Sequence, residues 1–280
     1  HGLKNLESLD LQETKVTPQG ISELQKALPH CKIVSDFETK QHSSVNHALE
    51  FNGESSFVEI KSLTGETYLK QKTDQFTIEF SITPDLPDSS NPVSYCVASF
   101  PFTVGLGGNK VNTAIHGGDA KSVIAYGSGS HTQLTEGRSY HIALLFSDGV
   151  QEIYINGKKQ EHLLYKTQNG STSKTTEKIS LSTDANRIKQ PTGIGAGNDL
   201  SAKLNYKRFF KGTIDEVRIS NIARYSKDFT PASRFVNDEH TMALYHFDEG
   251  SGDVLKDSSG NGHDGKIVGA RWVKMDDKLQ

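Results

Sequence analysis

The stretch that most constrains the fold is "YHIALLFSDGVQEIYINGKKQ", Tyr140 to Gln160, where β-rich runs are broken at Asp148-Gly149 and again at Asn156-Gly157. An Asx-Gly pair supplies two successive residues that tolerate positive φ, which a tight hairpin turn requires. A helix does not run through either point, so the segment predicts strands folded back on one another. The surrounding sequence has the same texture. "FTIEFSITPD" alternates Phe76, Ile78, Phe80 and Ile82 on one face, the pattern of a half-buried strand. "ALEFNGESSFVEIK" sets Leu49, Phe51, Phe57, Val58 and Ile60 around an Asn-Gly turn, and "FFKGTIDEVRIS" and "HTMALYHF" add two more strands. After Ser43 no amphipathic helix of three turns is visible. Many short strands with glycine turns predict one all-β domain of about 230 residues, a sandwich or jelly roll.

The first 34 residues read differently. In "LKNLESLDLQETKVTPQGISELQKALPHCKI", Leu3, Leu6, Leu9 and Leu11 predict a turn and a short strand. Ile21, Leu24 and Leu28 then fall at helical spacing behind Thr17-Pro18, an N-cap and first helical position. Pro29 stops that helix and "CKIV" predicts a second strand. The segment resembles a leucine-rich repeat of the form LxxLxxLxLxxTxVTxxGLxxLxxxLPxCxI. One repeat cannot bury its own apolar face, and arrays use roughly three or more. Residues 1–34 are therefore expected to be the last repeat of a truncated array, the chain being a fragment of something longer. Residues 35–47, polar and aperiodic, are the expected linker, 48–273 the β domain and 274–280 a tail.

Four segments of the β domain resemble the laminin-G-like, concanavalin A-like jelly-roll family. "ALEFNGESSFVEI" resembles its opening strand pair, and "GRSYHIALLFSDGVQEIYINGKKQ" its central hairpin, with Tyr140-His141 in the aromatic-His position. "FFKGTIDEVRISNIARYSKDF" resembles the late strand, and "YHFDEGSGDVLKDSSGNGHDGKIVGARW" a glycine-rich signature. In many relatives that signature comes first; here it comes last. A jelly roll commonly pairs its first and last strands, so Leu244 to Val273 is expected to complete this domain's own sheets. The resemblance implies an all-β, two-sheet antiparallel sandwich. The segments Leu86–Gly137 and Glu161–Pro191 exceed what the family core needs and are expected to form edge or face loops, where binding tends to sit, or solvated hairpins.

Calcium requires several hard oxygen ligands on a loop able to curl round the ion. "DSSGNGHD" offers Asp257, Asn261 and Asp264, with Asp215 in "DEVRIS" as a further carboxylate. The resemblance allows a structural calcium ion; a chain of Asx turns explains the same residues. Catalysis has less behind it. The E-x-D-x-x-E strand of the family's hydrolases is absent, and Asp215 and Glu216, adjacent on one strand, are expected to face opposite ways. His116 lacks the Arg and Tyr motifs of the lyases and is read as a surface or loop histidine. "GIGAGN", Gly193 to Asn198, is followed by no helix and is read as strand and turn. Tyr126, Tyr140, Tyr154, Tyr206 and Phe209 are candidates for stacking on sugar rings or for the core, and Trp272 is assigned to the core.

A net charge of -3 lacks the basic excess of a nucleic-acid surface. No apolar run is long enough to cross a membrane. Cys31 and Cys96 sit in different kinds of sequence, their pairing open. The expected function is a non-catalytic recognition or adhesion module for a glycan or protein ligand. It is placed outside the cytoplasm in a larger bacterial surface or envelope protein, an arrangement resembling planctomycete-type multidomain proteins. A carbohydrate-active enzyme on the same fold and a structural spacer are the alternatives.

Overall fold

The computed structural model describes residues 6–12, 14, 16–17, 20–21, 24, 27–28, 31–35, 46–71, 74–86, 93–118, 123–182, 184, 187–198 and 206–275. Leu3, Pro18, Pro29, most of the expected linker and the end of the tail lie outside them. The chain divides into two units, His1–Asn46 and His47–Gln280.

In the first unit, strands Ser8–Leu11 and Lys32–Ser35 pair in parallel, Leu9 opposite Ile33. Between them the Thr17 hydroxyl accepts the Gly20 N–H at 3.1 Å and its carbonyl accepts the Ile21 N–H at 3.0 Å. That is N-cap geometry, so the threonine starts the helical turn as its spacing predicts. Ile21 and Cys31 are buried.

The second unit is a sandwich of two antiparallel sheets. One sheet runs, in spatial order, through Lys158–Lys159, Val150–Ile155, Tyr140–Ser147, Gln75–Pro84, Lys211–Ser220, His47–Asn52 and Arg271–Lys274, with Thr241–Tyr245 also paired to Lys211–Ser220. The other runs through Ser171–Lys174, His162–Gln168, Val123–Gln133, Lys110–Gly118, Phe102–Gly107, Ser94–Ser99, Pro191–Ile194, Phe57–Thr64, Gly265–Val268 and Val254–Leu255. The core between them takes Phe76, Ile78, Phe80 and Ile82 from one side and Val97, Val104, Val111 and Ile115 from the other. Both predicted hairpin turns form: Asp148, Gly149, Asn156 and Gly157 all have φ between 49° and 79°. Among the described residues of this unit, the helix Gly65–Leu69 is a single short one, and no helix is long and apolar enough to cross a membrane.

The C-terminal element stitches the two sheets together. Thr241–Tyr245 joins one sheet, Val254–Leu255 and Gly265–Val268 extend the other, and Arg271–Lys274 returns to pair with the unit's first strand. Two expectations need correction. Leu86–Gly137 is not a loop insertion: it supplies four strands of the larger sheet, whose Gly-Ser alternation in "YGSGSHT" hid their period. His116 is not a surface residue either. It lies buried in Lys110–Gly118, stacked on Phe100, and burial lowers its pKa to about 4. Glu161–Pro191 does contain a hairpin, His162–Gln168 with Ser171–Lys174, the latter exposed throughout.

The smaller sheet is covered on its outer face as well. Residues 221–235 fold back across it, and Ala143, Leu145 and Tyr154 pack there against Ala223, Tyr225 and Phe229. This is why Tyr140–Phe146 is buried at every position.

Candidate functional site

Strands Gln75–Pro84 and Lys211–Ser220 are antiparallel neighbours of ten residues each. Their ends lie about 30 Å apart at the usual rise per residue, and each end opens into a cleft.

The cleft at the start of the first strand and end of the second encloses about 540 Å³ and is lined by hydroxyls and amides: Thr67, Gln71, Asn221, Thr241, Ser259 and Asn261 among them. Asn221 is positioned by its own backbone, whose N–H is donated to the His240 carbonyl at 3.0 Å. Its amide donates to Gln71 Oε1 at 3.1 Å, while its Oδ1 is buried without a hydrogen-bond donor. A buried acceptor left open is costly unless something fills it. Asp238 and Glu239 reach the same cleft. Arg224 grips both oxygens of Asp238 at 2.7 and 2.8 Å, and this, with Thr241 and the His240 N–H, holds its carboxyl well below the usual carboxylate range.

Asn261 enters this cleft from the glycine-rich loop singled out in the sequence. Its amide donates to the carbonyls of Thr241 and Met242, both at 3.0 Å. Asp257 ties the loop to the sheet, Oδ1 accepting the N–H groups of Leu244 and Ser259 and Oδ2 that of His263. Asp264 accepts the Asp257 N–H and pairs with Lys256 at 2.7 Å. All four carboxylate oxygens of these two residues therefore face nitrogen donors, the geometry of turn closure. A calcium ion would have to compete with those donors and with the Lys256 ammonium, so the donor set does not fit it well. Asp215 lies in the strand Lys211–Ser220, its Oδ1 accepting the Glu216 N–H at 2.8 Å. Among the described residues no three His, Cys, Asp or Glu side chains are gathered to hold a metal. Excess calcium against EDTA is expected to leave the unfolding midpoint unchanged. A rise with calcium that Asp257→Ala removes would establish a metal site here.

The second cleft, at the opposite strand ends, encloses about 430 Å³ and is lined by Asp85, Leu106, Arg208, Phe209 and Lys211, among others. Of the five aromatics considered for stacking, Tyr126, Tyr140 and Tyr154 are buried. Tyr206 stacks on Phe57 at 3.9 Å, and Phe209 reaches the cleft. Trp272 is only partly buried; it packs against the core and donates its indole N–H to the Gly252 carbonyl at 3.0 Å.

One constellation had no signature in the sequence. Glu79 is fully enclosed beneath residues 221–235, with Arg218 at 2.7 and 2.9 Å, Tyr225 at 2.8 Å and His141 at 3.2 Å. Its position in "FTIEFSI" reads as a solvent-facing residue of a half-buried strand. Only the returning segment, remote in sequence, buries it. The segments that carry the cluster, Tyr140-His141, "FTIEFSITPD" and "FFKGTIDEVRISNIARYSKDF", were each singled out, but nothing in them shows that they meet.

Residues 52–228 match the concanavalin A-like lectin/glucanases superfamily. No curated protein matches the chain. Among solved structures, a Bacteroides ovatus protein provisionally assigned as carbohydrate binding is 19% identical, with a TM-score of 0.56 over 83% of this chain and 60% of its own. The sialidase module CBM40 of Ruminococcus gnavus, bound to α2,3-sialyllactose, is 12% identical, with a TM-score of 0.45 over 64% of this chain and 91% of its own. Domains LG4-5 of the mouse laminin α1 chain are 10% identical, with a TM-score of 0.40 over 66% of this chain and 45% of their own. The likeness to the Bacteroides ovatus protein is one of fold, and this chain spans 60% of that protein's length. With more than half its length matched and two antiparallel sheets packed on a common core, the chain belongs to the concanavalin A-like lectin/glucanase superfamily.

Proposed function

We propose that residues 47–275 form a non-catalytic carbohydrate-recognition module whose ligand enters the amide- and hydroxyl-lined cleft beside Asn221. The observation that carries this is the lining itself, in which the amides of Asn221, Gln71 and Asn261 stand beside the hydroxyls of Thr67, Thr241 and Ser259. A sugar hydroxyl both donates and accepts, so it can pair with amides and hydroxyls of either polarity. The superfamily's name joins lectins and glucanases, so binding and hydrolysis are the chemistries to separate. Hydrolysis needs two carboxyls across the scissile bond, roughly 5–9.5 Å apart, one of them holding a proton near neutral pH. Asp238 does the opposite, since Arg224 keeps it ionised. Glu239 is its chain neighbour and 86% exposed, on the lip of the cleft. In the other cleft Asp85 is paired with Lys211 at 2.6 Å.

In titrations with a panel of neutral oligosaccharides, Asn221→Ala and Gln71→Ala are each expected to weaken binding by about tenfold, the effect of about 1.4 kcal/mol. The released reducing sugar should stay at background. Binding indifferent to both substitutions, or steady bond cleavage, would sink the proposal, the second in favour of the enzyme. Binding of a protein but no glycan would favour adhesion, and binding of neither a spacer. We also read residues 1–34 as the closing repeat of a leucine-rich array, supported by the parallel pairing of Ser8–Leu11 with Lys32–Ser35 around a helical turn. Residues 35–46 would then link that repeat to the module within an extracytoplasmic bacterial protein.

A further inference from the structure

The cleft at the other end of the sandwich has a different chemistry. Of the residues with positive φ, Asp148, Asn156 and Asn169 are Asx residues, to which the left-handed region comes easily. Arg208, at φ 58°, is not, and neither are Glu216 and Phe247, but of these three Arg208 alone lines one of the two clefts. Its conformation is fixed by its neighbours: the Tyr95 N–H donates to the Arg208 carbonyl at 2.7 Å, and Tyr95 forms a parallel bridge with Phe209. The guanidinium lies 5.5 Å from the Tyr95 ring centroid. The following residues are anchored too. The Phe210 N–H donates to the Gly195 carbonyl at 2.8 Å, and its buried ring meets Phe51 edge-on. A backbone held this firmly in a sparsely populated region points to a positioned side chain.

Charge narrows what that side chain meets. The ionisable groups lining the cleft are Glu54, Asp85, Arg208 and Lys211. Lys211 is neutralised by Asp85 at 2.6 Å. Arg208 has an aromatic face beneath it and, among the described residues, no carboxylate in ion-pair range. The apolar wall is Val93, Leu106 and Phe209. The lining's formal charges sum to zero and Glu136 also bears on Lys211 from outside it, so the surroundings do not favour a polyanion, and what the cleft offers an acid is the Arg208 guanidinium.

We propose that this cleft is a second binding site, for a glycan bearing a single carboxylate such as a terminal uronate, with Arg208 as its anion clamp. A planar guanidinium matches a carboxylate with two parallel N–H···O bonds, and stacking on an aromatic ring keeps its fork in one orientation. The C–H face of the sugar lies against Leu106 and Phe209, and a volume of about 430 Å³ is on the scale of small-ligand sites. The site stands apart from the Asn221 cleft and does not depend on it.

The test is calorimetric or NMR titration of the full chain with a glucuronate-terminated disaccharide and its glucose-terminated counterpart. The uronate form is expected to bind at least about tenfold more tightly, and to weaken as salt is raised, because the interaction is charge-assisted. Arg208→Ala should abolish that preference, Arg208→Lys should restore only part of it since a point charge lacks the fork, and Asn221→Ala should leave it unchanged. Equal binding of the two sugars, no binding of the uronate at millimolar concentration, or a preference that survives Arg208→Ala would each overturn the proposal. If the neutral panel fails at the Asn221 cleft while the uronate preference persists, the first reading falls and this one stands.

Discussion

Arg218→Ala is expected to destabilise the sandwich by about 3–5 kcal/mol, because it leaves the Glu79 carboxylate enclosed without its principal counter-charge. Glu79 is 0% exposed, and Arg218 reaches its Oε1 with both Nε and a terminal nitrogen. His141 and Tyr225 remain on Oε2, and Arg224 stands 3.9 Å from Oε1, too far to replace what is lost. The same substitution frees the Val236 carbonyl and uncovers the Phe235 ring, over which the guanidinium sits at 4.7 Å. Removing both charges together, Glu79→Gln with Arg218→Met, should cost less than Arg218→Ala alone, since no charge is left buried while the amide can still meet His141 and Tyr225. Urea unfolding of the wild type and the two variants reads the difference directly; a double variant as unstable as the single one would mean that packing rather than charge dominates.

The cluster also sets an acid limit. Burial raises the Glu79 pKa, but the His141 hydrogen bond, the Arg218 charge and the Tyr225 hydroxyl outweigh it and hold the carboxyl below its ordinary value. A carboxyl depressed in the folded state contributes stability above its unfolded pKa, about 4.3, and loses it as the pH falls through the folded value. Wild-type stability should therefore decline below about pH 4 more steeply than that of Glu79→Gln. Parallel acid limbs would show that Glu79 does not carry the linkage.

Asp257→Ala is expected to cost about 3 kcal/mol, because one carboxylate closes three backbone donors and charged acceptors are worth about 1.5–3 kcal/mol each when donors are left unmet. The donors are not equivalent. Leu244 is 1% exposed, so its N–H has no water to turn to, whereas Ser259 and His263 are partly open to solvent. Most of the loss thus falls at Leu244. Asp257→Asn, which keeps one acceptor oxygen, should recover about half. Thermal unfolding distinguishes these cases, and a change below about 0.5 kcal/mol, the ordinary range for surface substitutions, would show the loop to be closed by something else.

The turns and alternating strands were legible because their cause is local. Asn156-Gly157 must bend wherever it sits, and Phe76 to Ile82 must present one face to a core. The place of the C-terminal strands was legible for a related reason: a jelly roll needs its last strand beside its first, whatever the order of the signature. Contacts made by segments far apart in sequence were not legible. Glu79 occupies a position that alternation assigns to solvent, and only residues 221–235, some 140 positions later, enclose it. His116 was misread because nothing in "TAIHGG" shows that Phe100 packs over it. Both clefts are assembled from strand ends separated by one to two hundred residues, such as Gln71 with Asn221 and Asp85 with Lys211. Asn261 alone among the singled-out loop residues lines one of them. There its amide nitrogen is pinned to two carbonyls.

The pairing of the first strand with the last has an architectural consequence. His47 stands opposite Lys274 on neighbouring antiparallel strands, so the path of the module starts and finishes about 5 Å apart. A fold whose two ends emerge side by side can be carried as an excursion from a surface loop of another protein, the host bridging only the gap of an ordinary hairpin. The same geometry allows the old ends to be joined and new ones cut at an exposed turn such as Asn169-Gly170, a rearrangement that would leave every strand of both sheets in place.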